Sequence, residues 1–135
     1  MIGIDTNILI RYIVQDTDEA KLATAYLEQK CSSENPGFVC LIVLCEIVWV
    51  LRKAYKYDKS IVVPILYRLM TTKELEIENT VVAWRAYEEY KNGNADFSDY
   101  VIGLVCRRGD AHPVVTFDRK AASNSLFILL DHSKI

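Results

Sequence analysis

Met1-Ile2-Gly3-Ile4-Asp5-Thr6-Asn7-Ile8-Leu9 decides how this chain folds, because a short apolar strand runs there into an acid that also opens a helix. Ile2 to Ile4 read as the first strand. Asp5-Thr6-Asn7 then supplies capping chemistry for a helix through Leu9, Ile10, Ile13 and Val14. Short polar side chains suit that junction because they accept hydrogen bonds from the unpaired N–H groups of a first helical turn.

Outward from this junction the alternation repeats. Asp18 to Cys31 read as a second helix, with Leu22 and Tyr26 four apart on one face and Leu27 beside them, ending before Ser32-Ser33-Glu34-Asn35-Pro36-Gly37. Phe38 to Cys40 read as a strand, Ile42 to Tyr55 as a central helix apolar on most sides, and Ser60 to Thr72 as its amphipathic neighbour. Leu75 to Glu78 alternate as a strand. Thr80 to Lys91 and Ser98 to Arg108 follow as helices, broken apart by Asn92-Gly93-Asn94, with Ile102, Val105 and Cys106 expected inward. His112 to Phe117 and Leu126 to Leu130 are the last strands, joined by a helical turn at Arg119 to Ser123. Strands separated by helices pair in parallel with right-handed crossovers. The predicted fold class is therefore α/β: a three-layer α/β/α sandwich with a short, mainly parallel central sheet, in a single domain spanning residues 1–135.

With 135 residues, 51% of them hydrophobic, the chain can bury a core of its own. Its longest apolar stretch, Phe38 to Leu51, contains Glu46 and falls short of the roughly 20 residues of a spanning helix. Met1-Ile2-Gly3-Ile4 carries no basic region or cleavage site for export, so the expected compartment is the cytoplasm. The four cysteines, Cys31, Cys40, Cys45 and Cys106, lack C-x-x-C spacing and read as small reduced hydrophobes.

A net charge of -2 argues against gripping nucleic acid by broad electrostatics alone. Locally the balance reverses: Arg52, Lys53, Lys56, Lys59, Arg68 and Lys73 face only Asp58, and Arg107-Arg108 and Arg119-Lys120 follow. Such runs read first as solvated helix faces. Trp49, Tyr55, Tyr57, Trp84, Tyr87 and Tyr90 read first as core, with base stacking or a dimer interface as the functional alternative.

Five acids stand out: Asp5, Glu46, Asp96, Asp99 and Asp118, each at or near the edge of an apolar segment. Buried ions are costly unless paired or metal-bound, so acids in apolar runs point to a cation. Asp5 and Asp118 each follow a strand, where an open parallel sheet binds its ligands, and are expected to share one sheet edge. Asp96 and Asp99 lie three apart around a helix start, so both can point the same way. An all-oxygen set without His or Cys suits Mg²⁺ or Mn²⁺, and with them phosphodiester hydrolysis. Each acid also has a structural role open to it: Asp5 and Asp96 as helix caps, Glu46 paired with Arg52 or Lys53, Asp99 in a first helical turn, Asp118 in a turn. Their joint occurrence favours a metal site. Only His112 and His132 are present, with no G-x-S-x-G and no glycine-rich phosphate loop, so triad hydrolases and nucleotide-binding folds lack their parts.

Ile4-Asp5-Thr6-Asn7-Ile8-Leu9, Cys45-Glu46-Ile47-Val48, Ala95-Asp96-Phe97-Ser98-Asp99-Tyr100-Val101-Ile102 and Thr116-Phe117-Asp118-Arg119 resemble, in order and spacing, the motifs of PIN domains. The chain is similar in particular to the VapC-type toxins of toxin-antitoxin pairs, small metal-dependent endoribonucleases. The resemblance implies that Asp5, Glu46, Asp99 and Asp118 form an acidic quartet holding Mg²⁺ or Mn²⁺, with Asp96 as an auxiliary acid and Thr116 as a polar neighbour. Asn7 would orient Asp5 or the substrate. It further implies a homodimer, a VapB-like antitoxin whose tail blocks the site, and structured RNA such as tRNA or ribosomal RNA as substrate. The alternative is a non-catalytic PIN-like module that binds RNA or a protein without cutting.

Overall fold

The opening stretch forms the strand-to-helix junction that its residues dictate, in a computed structural model that describes residues 1–135. Strand β1 (Ile2–Gly3) leads into helix α1 (Thr6–Val14), and Asp5, in extended conformation, is the N-cap. The helix stops where Gln15 turns left-handed at φ 60 and its side-chain amide donates to the Tyr12 carbonyl at 2.8 Å. The chain forms two compact units, Met1–Asn79 and Thr80–Ile135.

In the first unit, α2 (Asp18–Lys30), β2 (Gly37–Val39), α3 (Leu41–Lys53), α4 (Lys59–Thr71) and β3 (Leu75–Ile77) follow α1. The three strands form one parallel sheet in the order β1-β2-β3, with Ile2 opposite Gly37 and Phe38 opposite Glu76. Leu41, Leu44, Val48 and Leu51 recur on one side of α3, and with Val43 and Ile47 they are buried. Cys40, the N-cap of α3, makes no side-chain cap; instead the Glu78 carboxylate accepts from the Leu41 N–H at 2.9 Å, a negative charge set at the positive end of the helix.

In the second unit, α5 (Thr80–Asn92) and α6 (Phe97–Arg108) precede β4 (Val114–Thr116), a 3-10 turn at Ala121–Ser123, β5 (Phe127–Leu129) and a final 3-10 turn at His132–Lys134. The two strands pair in parallel, Val114 opposite Phe127 and Thr116 opposite Leu129. Tyr90 and Phe97 meet edge to face with ring centroids 5.9 Å apart. The fold class is the expected α/β with short parallel strands, carried by a three-stranded and a two-stranded ladder.

Three expectations about orientation are corrected. On α2 the buried residues are Ala20, Ala23 and Leu27, while Leu22 is 74% exposed and Tyr26 is 40% exposed. The inward stripe goes to the alanines because small side chains let helix backbones approach closely. On α6 the buried set is Phe97, Tyr100, Val101, Gly103 and Leu104, and Ile102 and Val105 face out. Two aromatics claim the core there, and Ile102, two positions after Tyr100, lies about 160° around the helix from it. Trp49, expected in the core, is 62% exposed, whereas Tyr87 and Tyr90 are buried. The strand expected from His112 starts at Val114, because Pro113 has no N–H to give to a ladder.

Candidate active site

In the first unit, Asp5 and Glu46 are linked through one residue. The Asp5 carboxylate accepts from the Thr6 N–H at 2.7 Å, so its role as helix cap is real, and it fixes where the acid points. The Thr6 hydroxyl donates to Glu46 Oε1 at 2.6 Å and ties α1 to the middle of α3. Asn7 is exposed and, with Asp5, Ile8, Arg11, Leu22 and Tyr26, lines an open cavity of about 570 Å³.

In the second unit, Asp96 is the N-cap of α6, and its N–H donates to Asp99 Oδ2 at 3.2 Å. Asp118 follows β4 and accepts from the N–H groups of Lys120 at 2.8 Å and Ala121 at 3.3 Å. Its own N–H donates to the Thr116 hydroxyl at 3.0 Å. Asp99 titrates above its ordinary value: burial raises it, and the charges of Asp96 and Asp118 add to that, while the Asp96 N–H and the Lys120 cation pull the other way.

The reasoning that these acids are buried is overturned. No polar or charged residue is buried; Asp5, Glu46, Asp96 and Asp118 are exposed and Asp99 is half-buried. Glu46 shows why. Its apolar sequence neighbours Ile47 and Val48 turn inward on α3 while Glu46 turns out, since adjacent helical positions differ by about 100°. The electrostatic case for a cation therefore rests on Asp99, where burial comes first and the charges of Asp96 and Asp118 add to it.

Within neither unit do three His, Cys, Asp or Glu side chains form a preformed ligand cluster. The donor chemistry nevertheless fits a hard divalent ion: every candidate is a carboxylate oxygen, and Asp99 already feels the charges of two neighbouring acids that such an ion would relieve. Cys45 is no competitor as a ligand. Burial pushes its thiol up to about 11, with Cys40 and Glu46 adding to the shift.

Sequence reasoning missed two polar neighbours. Thr6 is the hydrogen-bond donor to Glu46, and Lys120 is the cation that acts on Asp99. The position of Thr6 directly after Asp5 was a weak signal, but its meeting with Glu46 depends on how α1 lies on α3. Lys120 read simply as part of a basic pair.

No curated protein and no solved structure matches the chain significantly. The model of the PIN domain matches residues 2–125, nearly the whole sequence. This chain belongs to the PIN-domain family.

Proposed function

We propose that this protein is a metal-dependent endoribonuclease that hydrolyses phosphodiester bonds in structured RNA, as the toxin of a VapBC-type pair. The PIN domain is a nuclease-type fold, which makes nucleic acid the substrate class. The observation that carries the catalytic reading is Asp99, a half-buried carboxyl held above its ordinary value by burial and by the charges of Asp96 and Asp118. A carboxyl set beside two other acids at such a cost to its own ionisation is what a cation site requires.

In this reading Asp5, Glu46, Asp99 and Asp118 hold the ion, with Asp96, Thr116 and Asn7 as auxiliaries. When bound there, Mg²⁺ or Mn²⁺ would supply Lewis acidity at the scissile phosphate. The chain's own residues do the orienting. Thr6 holds the Glu46 carboxylate by its hydroxyl, backbone N–H groups hold Asp5 and Asp118, and the Asp96 N–H holds Asp99. A carboxylate of this set would act as the general base that takes a proton from an attacking water. A homodimer and a VapB-like antitoxin that blocks the site belong to the same reading through the VapC resemblance, as does a cytoplasmic setting. No helix is long and apolar enough to cross a membrane.

The absence of a three-ligand cluster within either unit favours one other reading, a PIN module that binds RNA without cutting it. Cleavage decides between them. Wild type and Asp99→Asn are purified under denaturing conditions, refolded, and incubated with tRNA and ribosomal RNA plus Mg²⁺, Mn²⁺ or EDTA. Cleavage by wild type alone, and only with metal, supports the nuclease. RNA binding without cleavage under every condition supports the module, and equal cleavage by Asp99→Asn overturns the assigned site.

A further inference from the structure

We propose that Trp49, Arg52, Lys53 and Lys56, at the C-terminal end of α3 and just beyond it, form the surface that receives an unpaired stretch of the RNA, with a base stacked on Trp49 beside Glu46. This rests on the nuclease reading and specifies its substrate: single-stranded segments such as loops, rather than duplex.

Ile42, Glu46, Trp49 and Lys53 recur at helical spacing and so share one face of α3. That face is open. Ile42 is 71% and Trp49 is 62% exposed, and Glu46, Arg52, Lys53 and Lys56 are all exposed. An exposed tryptophan is costly to leave in water, and the core of this unit is built without it from Leu41, Leu44, Val48 and Leu51 on the opposite side of the same helix. Its indole offers a flat face to any base, and stacking of this kind is indifferent to sequence.

The charge around it has the sign that RNA needs. A chain of net charge -2 concentrates Arg52, Lys53, Lys56 and Lys59 directly after Trp49, opposed only by Asp58. Arg52 is anchored to the Tyr57 carbonyl at 3.0 Å, and its charge, after burial, helps to lower the pKa of Lys59, so these two cations stand close together. Tyr55 and Tyr57 pair between them with ring centroids 5.8 Å apart. Basic residues interleaved with aromatics are the pattern by which proteins follow a single strand. From Glu46 to Lys53 the helix rises about 10 Å, the reach of roughly three phosphates of a stacked strand. A strand whose scissile phosphate lies at Glu46 therefore has a base at Trp49 and further phosphates at Lys53 and Lys56. In a duplex the base faces are already stacked on one another, so only an unpaired base can use Trp49.

The test uses the full chain carrying Trp84→Phe, which leaves Trp49 as the sole tryptophan, together with Asp99→Asn to prevent cleavage. A short oligouridylate single strand should quench Trp49 emission, and the same strand in an A·U duplex should not. By anisotropy of a labelled strand, Trp49→Ala should weaken binding about ten- to a hundred-fold, Trp49→Phe should restore most of it, and Lys53→Ala with Lys56→Ala should flatten the salt dependence. In a Trp49→Ala chain that keeps Asp99, the KM for cleavage should rise with little change in kcat. The proposal is overturned if the single strand binds without quenching Trp49, or if Trp49→Ala binds as tightly as its parent. It is also overturned if Trp49→Ala changes only the oligomeric state, which would assign this face to a second copy. Wild type that cuts RNA while Trp49→Ala behaves identically removes this inference and leaves the nuclease reading intact. Wild type that neither binds nor cuts removes both.

Discussion

The hydroxyl of Thr6 donates to the carboxylate of Glu46 at 2.6 Å, across forty residues of sequence, and so couples the first turn of α1 to the middle of α3. Because Asp5 is held by the N–H of the same Thr6, one residue sets the direction of two acids. Thr6→Ala should therefore free Glu46 without harming the fold, since both side chains reach solvent. A hydrogen bond of this kind contributes about 0.5–1.5 kcal/mol, so cleavage should slow by up to about tenfold, while Thr6→Ser keeps the wild-type rate. Steady-state cleavage by the three proteins checks this, and equal rates for Ala and Ser would remove Thr6 from the site.

Asp99→Asn should abolish cleavage and, in metal-free protein, raise the melting temperature near neutral pH. The folded carboxyl titrates above its ordinary value, so the fold favours the protonated form. That contribution is fully present below the unfolded pKa and is lost as pH rises through the folded one. Wild type without metal should accordingly lose stability across that interval, and Asp99→Asn should not. Thermal melts at stepped pH with EDTA present measure it; a variant less stable than wild type at neutral pH would contradict the crowding of Asp96, Asp99 and Asp118.

Addition of Mg²⁺ or Mn²⁺ should stabilise the wild type, because an ion that binds only the folded chain adds about 2.7 kcal/mol at a hundred times its Kd. Asp118→Asn should show a much smaller shift, and EDTA should reverse the effect. Identical melting curves with and without metal in the wild type would tell against a carboxylate-held ion.

Gly103→Ala should destabilise the second unit by about 1–3 kcal/mol. A Cβ at this position would stand 2.7 Å from Leu126 Cβ and 2.9 Å from its Cδ1, closer than packed carbons allow. Urea denaturation gives the difference, and a midpoint equal to wild type would show that Leu126 can withdraw at no cost.

Cys45 should resist alkylation in the native state. With its thiol pushed up to about 11, only about one molecule in a thousand is thiolate at pH 8. Iodoacetamide followed by peptide mapping should modify Cys45 readily only after denaturation; rapid native labelling would mean that the thiol is not held among its apolar neighbours.

The order of strands and helices was legible because each element advertises its own period and its own punctuation. Asp5 caps α1 as the opening stretch dictates, and Asn92-Gly93-Asn94 separates α5 from α6. Orientation was less legible. On α2 and α6 two apolar stripes compete for the core, and the winner depends on which neighbour packs there, as Ala20 and Ala23 prevail over Leu22 and Tyr26.

The sequence by itself determined the family and the succession of elements, because local propensity, capping chemistry and motif spacing are properties of neighbouring residues. Tertiary structure alone decided that Thr6 is the partner of Glu46, that Asp99 feels Asp118, and that Trp49 lies open to solvent. Such facts follow from how one helix or strand is laid against another. That choice is made by the packing of a whole core, and no local stretch of chain encodes it.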